Sequence, residues 1–380
     1  MALAAAAVAL TSYGAAGWYF SGELYKMGLS AAWQRAQKPN YDVMVQSVSR
    51  GVLVVSSRSP KSPIFSKGQW GISWPGGWAR LTKLHKVRGN QAEWSYSMLS
   101  GSLERGARVA TTVDVFGPTP AALGLPYSSV DFSGPLGRYP AWIVPATSSA
   151  ARATWAITVN GKSLSRLDCM KIVPVLHDQG MTVMMATYRN DIGAPSSPNG
   201  QIGYGSTEWP DLQAAVRYAL SHGAKRVVLV GYSMGGGIVM SFLQHSAIAD
   251  RVSLAVLDSP VLDFSATVDF GARHQRLPLL GVPIPQFLTD GAKWEASLRY
   301  GLDWSRMNYL KGKRPPVPIL LFQGAADQTV PPATSAELAR LHPRQVTYVV
   351  TPRAGHLESW NLDPSRYDRL VAQFAKNHLD

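Results

Sequence analysis

One cysteine, Cys169, occurs in 380 residues, so no disulfide framework can staple this fold and cysteine usage leaves the redox compartment unmarked. Metal-ligand spacings are missing too: there is no H-E-x-x-H, no paired cysteine and no carboxylate cluster. Neither G-x-x-x-x-G-K-S/T nor a strand-linked G-x-G-x-x-G supplies a phosphate cradle, and no cofactor is expected. The formal charge of +13 comes without a helix-turn-helix, zinc finger or aromatic-basic RNA signature, so nucleic acid is not an expected partner. Acidic residues are scarce near the N-terminus, where thirteen Lys/Arg stand against five Asp/Glu between Ser21 and Leu125. That excess suits either an anionic membrane surface or a solvated basic face.

Long hydrophobic runs are lacking except at the start. Residues 2–20 carry no charge and reach the length of a membrane span, with Trp18 and Tyr19 at the end where interfacial aromatics sit. Residues 1–22 therefore read as a transmembrane anchor or, if cleaved, a signal segment. Its alanine content makes insertion marginal, because alanine is much less lipophilic than leucine, and the missing basic n-region weakens the signal-segment reading. Basic Lys26, Arg35 and Lys38 follow the segment and none precede it, yet this flank does not decide the side of the membrane.

Residues 23–125 form the second expected unit, an amphipathic helix over 23–37 followed by a basic, strand-rich module. Its strands are expected at 41–48, 52–56, 70–74, 94–98 and 107–115, short and rich in β-branched and aromatic residues between Gly, Pro, Ser and Asn. Trp70, Trp74, Trp78 and Trp94 read as core filling. The turn-rich run 117–126 closes the unit. Beyond it, a hairpin across Gly134-Pro135-Leu136-Gly137 leads into alternating apolar strands and helices, including one helix expected over 164–179. Residues 126–380 then form a third unit, a mainly parallel sheet covered by helices on both faces. The alternation is interrupted over about 263–316, where a cap after the sixth core strand is expected.

Within that unit, Gly231-Tyr232-Ser233-Met234-Gly235 follows an apolar strand and opens a small-residue helix. A nucleophile elbow needs this context, since the turn strains the serine backbone and the neighbouring chain leaves no space for a Cβ. Gly324-Ala325-Ala326-Asp327 and Gly355-His356 follow two later strands. The three residue types divide the labour of acyl transfer: Ser233 attacks, His356 takes its proton, and Asp327 orients and stabilises the imidazolium. Asp258, in Leu257-Asp258-Ser259-Pro260, is a rival for the acid, although the Gly324-x-x-Asp327-x-x-Val330-Pro331 pattern favours Asp327. Negative charge on a tetrahedral intermediate calls for two backbone donors, Met234 N–H and, from the loop Asn160-Gly161-Lys162, Lys162 N–H. His177 and His222 read as structural at helix ends; His274 lies in the cap region.

From about Tyr127 onward the chain resembles the α/β-hydrolase superfamily, and within it the membrane-anchored BEM46-type and actinobacterial serine aminopeptidase-like hydrolases. The resemblance is carried by Ile157-Thr158-Val159-Asn160-Gly161, Ala186-Thr187-Tyr188-Arg189-Asn190, Val230-Gly231-Tyr232-Ser233-Met234-Gly235-Gly236, Leu257-Asp258-Ser259-Pro260 and Ala354-Gly355-His356. Asn160 stands where the superfamily usually has histidine. The resemblance implies hydrolysis through an acyl-enzyme, but its members include esterases, thioesterases and peptidases. The expectation is thus a serine hydrolase cleaving a small-molecule or lipid-like carboxylic ester. A peptidase or thioesterase, and a catalytically inactive membrane-tethered binding protein, are the alternatives.

Overall fold

A computed structural model describes residues 14, 16–147, 153–277 and 281–379. Most of the charge-free N-terminal run therefore lies outside the described residues. Among the described residues, no helix is long and apolar enough to cross a membrane.

Two sheets organise the chain. Strands β1 (Val43–Ser49), β2 (Val52–Ser57), β3 (Trp70–Trp74), β4 (Gly77–Arg88), β5 (Gln91–Ser100) and β6 (Arg108–Thr112) close an antiparallel barrel in the order β1-β2-β5-β4-β3-β6. Closure pairs every strand on both sides and removes the edges that would otherwise invite aggregation. Trp70 and Trp94 are buried in its interior with Val43, Leu53, Ile72 and Leu81. Trp94 Nε1 also donates to the Ile64 carbonyl at 2.8 Å, giving the indole its polar partner. Trp74 and Trp78 are only partly buried. The sequence pattern missed β4, because Lys83, His85, Lys86 and Arg88 make half of it look like loop. Those residues lie on its outer or distal positions, and three register shifts against β5 bend the strand around the barrel.

The second sheet has eight strands in the order β14-β13-β12-β11-β9-β10-β8-β7. A hairpin of β7 (Ser128–Gly134) and β8 (Gly137–Val144) forms one antiparallel edge. From β9 (Thr154–Val159) through β10 (Thr182–Ala186), β11 (Arg226–Tyr232), β12 (Val252–Asp258), β13 (Ile319–Gly324) and β14 (Val346–Thr351) the neighbouring strands run parallel. All residues of β10 and β13 are buried, as expected of strands covered on both faces. Strand order reverses at β9, whose neighbours are β10 on one side and β11 on the other. Loops leaving β9 and β11 diverge there, opening the crevice in which ligands of such sheets bind.

Two helical stretches differ from the pattern in the sequence. The run 164–179 is a 3₁₀ turn, Arg166–Ile172, followed by a short helix, Val173–Asp178. Pro174 explains the break: it has no N–H to donate and fits only the first turn of a new helix. The N-terminal amphipathic stretch is helical over 16–24, widens into a π turn at Tyr25–Leu29, and becomes extended at Ser30. Ser30 Oγ then caps the next helix, Ala31–Ala36, by accepting from Trp33 N–H at 3.2 Å. Between β12 and β13 the chain leaves the sheet for helices Phe264–His274 and Gln286–Tyr300 and a 3₁₀ turn, Trp304–Met307.

Candidate functional site

Ser233 sits between β11 and helix Met234–His245 with φ 52° and ψ −116°. A non-glycine residue holds that conformation only when its surroundings impose it. Ser233 N–H is tied to the Asp258 carbonyl at 2.9 Å, and the Ser233 carbonyl accepts from Val261 N–H at 3.0 Å. Glycine is required on both sides. A Cβ on Gly231 would lie 2.6 Å from the Gly235 carbonyl oxygen, and one on Gly235 would collide with the Val159 carbonyl.

His356, on the loop after β14, brings Nε2 to 2.9 Å from Ser233 Oγ. Its Nδ1 lies 2.8 Å from Asp327 Oδ2. Asp327, after β13, has its own brace: Oδ1 accepts from Thr329 N–H at 2.8 Å and Val330 N–H at 2.9 Å. Gln323 Nε2 donates to Oδ2 at 3.1 Å and is itself held by Ser335 Oγ, 2.8 Å from Gln323 Oε1. The three residues flagged in the sequence therefore form one hydrogen-bonded line.

Asp258 is elsewhere. Its main chain supports the elbow, while its carboxylate accepts from Ser259 Oγ at 3.2 Å and has no bond to His356. Burial pushes its pKa up to about 6, against the opposing pull of Lys171. His222 Nδ1 lies 2.8 Å from the Tyr218 carbonyl at a helix end, and the exposed His274 places Nδ1 2.8 Å from the Phe270 carbonyl.

The loop after β9 adjoins the nucleophile so closely that a Cβ on Gly161 would sit 3.2 Å from Ser233 Cβ. Besides Asn160, its bracing uses residues that sequence reasoning did not single out. Asp168 accepts from Gly161 N–H at 3.1 Å and Ser163 Oγ at 2.8 Å. Tyr188 OH donates to the Gly161 carbonyl at 2.7 Å, which Asn160 Nδ2 also reaches at 3.1 Å. Asn160 Nδ2 in turn reaches Asp191 Oδ1 at 3.1 Å, and Asp191 Oδ2 accepts from Tyr188 N–H at 3.1 Å. Because a trans peptide is planar, fixing the Gly161 carbonyl also fixes the direction of Lys162 N–H. Neither that N–H nor Met234 N–H has a protein acceptor among the described residues. The Lys162 ammonium points elsewhere: Nζ donates to the Met27 carbonyl at 2.8 Å, and burial lowers its pKa. Burial raises the Asp168 carboxyl, opposed by its Ser163 and Gly161 donors and by Lys171. The substitution of Asn160 for the usual histidine thus leaves the loop anchored by an Asn-Tyr-Asp network. Tyr188 and Asp191 lay within or beside a segment visible in the sequence, but nothing in their spacing marks a side chain that reaches another loop.

Ser233 and His356 open into a cavity of about 660 Å³. Its walls include the N-terminal helix, the end of β6, the loops after β9 and β13, Tyr204, and the insertion between β12 and β13. Phe264, Val268, Ile284 and Leu288 give the insertion's side an apolar surface. The size and character are those of a small-molecule site.

Known proteins agree with this architecture. The model of the alpha/beta hydrolase family matches residues 186–373. The uncharacterized protein YfhR of Salmonella typhimurium is 25% identical over 273 residues, covering 67% of this chain and 81% of that protein. Rv2307c of Mycobacterium tuberculosis, also uncharacterized, is 25% identical over 230 residues, covering 60% and 70% respectively. Among solved structures, the Pyrococcus furiosus esterase Pf2001 superposes with a TM-score of 0.53 at 21% identity, over 70% of this chain and 98% of its own. The alpha/beta hydrolase GrgF from Penicillium sp. gives 0.51 at 18%, over 67% and 99%. At such identities these structures speak for the fold alone. Fold, family match and strand order together make this chain a member of the α/β-hydrolase superfamily.

Proposed function

We propose that this hydrolase cleaves carboxylic esters with an apolar acyl group, using Ser233 as nucleophile, His356 as general base and acid, and Asp327 as the orienting carboxylate. The observation that carries the reading is the unbroken line from Ser233 Oγ through His356 to Asp327, at 2.9 and 2.8 Å, opening on a mostly apolar cavity. With the proton of neutral His356 on Nδ1, facing Asp327, Nε2 accepts the Ser233 proton as Oγ attacks the ester carbonyl carbon. The oxyanion is received by Met234 N–H at the helix N-terminus and by Lys162 N–H. Collapse expels the alcohol, which takes the proton from His356 Nε2. Water then gives a proton to His356 and attacks the acyl-enzyme, releasing the acid and restoring Ser233.

A charge-free segment leading into exposed Trp18 and Tyr19 supports a lipid-like substrate and attachment to a membrane surface. Labelling with a fluorophosphonate tests the chemistry: wild type is modified and Ser233→Ala is not. An ester series read beside an aminoacyl anilide tests the bond cleaved. Absence of labelling in folded wild type would return the reading to an inactive binding protein, and preference for the anilide would make it a peptidase.

A further inference from the structure

The chain ahead of the barrel is built into the catalytic body. Ser21, Leu29 and Ala31 are fully buried. Arg299, on the insertion, donates to the Trp18 carbonyl at 2.8 Å and to Ser21 Oγ at 2.7 Å, with its guanidinium 3.4 Å from the centre of the Trp18 ring. Tyr25 stacks on Tyr300 with ring centres 4.3 Å apart. The sheet side holds the same segment: Tyr204 OH donates to the Gly28 carbonyl at 2.9 Å, and Ile202 N–H to the Leu29 carbonyl at 2.7 Å. Fixing the backbone costs about 1–2 kcal/mol per residue, so a mere tether would not be ordered by contacts to two separate elements.

Its geometry changes where it passes the cavity. Ser30 N–H bonds to the Tyr25 carbonyl at 2.8 Å, closing the wider π turn, and π turns recur at functional sites. In that turn the Met27 carbonyl accepts from Lys162 Nζ, on the loop beside Ser233. Phe20, Leu24 and Met27 line the cavity that holds Ser233 and His356, together with Val268 and Leu288 of the insertion.

We propose that the N-terminal helix is the specificity wall of the acyl site: the substrate's acyl chain packs on Phe20, Leu24 and Met27, which set the chain length accepted. This deepens the ester-hydrolase reading and rests on it. An anchor-like segment and the substrate pocket are then one element, and the apolar occupant is named by continuity with the reacting serine. Burial of each added methylene against this wall raises kcat/KM about fourfold until the wall is reached.

The test compares wild type with Leu24→Trp and Met27→Trp, and with Ala32→Ser as a control on an exposed, non-lining position. Acetyl to dodecanoyl p-nitrophenyl esters give kcat/KM, and calorimetry gives dodecanoic acid binding to each variant in a Ser233→Ala background. The expected result is at least a tenfold fall in the dodecanoyl-to-acetyl ratio and in dodecanoic acid affinity for both tryptophan variants, with the control like wild type. Should a tryptophan variant fail to fold, Leu24→Ala and Met27→Ala replace it, with the optimum shifted to longer chains. An unchanged ratio and unchanged fatty-acid affinity in folded variants overturn the proposal. Fatty-acid binding that weakens as expected, in a wild type that hydrolyses no ester, would keep the wall and discard the ester reading.

Discussion

The barrel and the parallel sheet solve burial in different ways, and it is the sheet that carries Ser233, Asp327 and His356. In the barrel, strand residues alternate, so β1 and β4 bury one set of side chains and present the other to water. In the sheet, β10 and β13 are buried throughout, and Ser233, Asp327 and His356 stand on loops that follow its strands at their carboxyl ends. A closed barrel has its core inside itself and can be altered without moving the elbow. The sheet has no such separation, because Gly235 packs against the last residues of β9 and Ser233 hangs from the main chain of β12. The barrel touches the site through the end of β6, where Thr112, Val113 and Asp114 reach the cavity.

The largest expected effect breaks the sheet side alone. Ser233→Ala should lower ester kcat by about 10⁴-fold or more while leaving thermal stability nearly unchanged, because residues acting as one unit fail together. His356→Ala should cost a similar factor, and the double variant should lose little further. Additive losses in the double variant would show that the two residues do not act on one proton. On the barrel side, Trp94→Ala removes a fully buried indole and its bond to Ile64. It should cost about 3–5 kcal/mol of stability, measured by denaturant unfolding. Fluorophosphonate labelling of the folded fraction should persist at the wild-type rate. A labelling rate that falls while the protein is still folded would mean the two regions are more tightly coupled than their packing indicates.

The same contrast explains what the sequence disclosed. Ser233, Asp327 and His356 were legible because each follows a strand in a local pattern whose order along the chain implies its meeting place. The mainly parallel run of strands followed from uninterrupted apolar segments, whereas the reversal of strand order at β9 came only with the structure. Barrel closure was not legible: pairing of β1 with β6 joins residues more than sixty positions apart, and the charges of β4 hid the longest strand. The role of Tyr188 was equally hidden, since its hydroxyl meets the Gly161 carbonyl only after β9 and β10 have paired. Cavity walls made by Phe20 and Leu24 likewise depend on packing across almost the whole chain. The candidate catalytic residues are written locally, and the walls of the cavity beside them are written in tertiary contacts.

Tyr188→Phe asks how far the loop beside the nucleophile depends on that nonlocal brace. It removes one hydroxyl from the Gly161 carbonyl and keeps the ring, while Asn160 retains a longer bond to the same oxygen. The expected outcome is a fall in kcat of about 10- to 100-fold with KM changed little, as for an interaction realised mainly in the transition state. A rise in KM at constant kcat would instead place Tyr188 in substrate binding.

The smallest expected effect lies where the two regions meet. Asp114 leaves the barrel, donates its N–H to Thr112 Oγ1 at 3.1 Å, and holds a buried Oδ1 without a hydrogen-bond partner among the described residues. Burial, and then the neighbouring Asp168, push its pKa from 3.8 up to about 7, against the pull of Lys171 and Thr112. A carboxyl whose pKa is raised on folding binds its proton more tightly in the native state. Its contribution is therefore most favourable below about pH 4, declines as pH rises through the interval to about 7, and is flat above. Asp114→Asn removes that decline, so melting temperature should rise by about 2 °C at pH 8 and not at pH 4. An equal gain at both pH values would assign the effect to packing, and a loss at both would show that the carboxylate is needed as an acceptor at this junction.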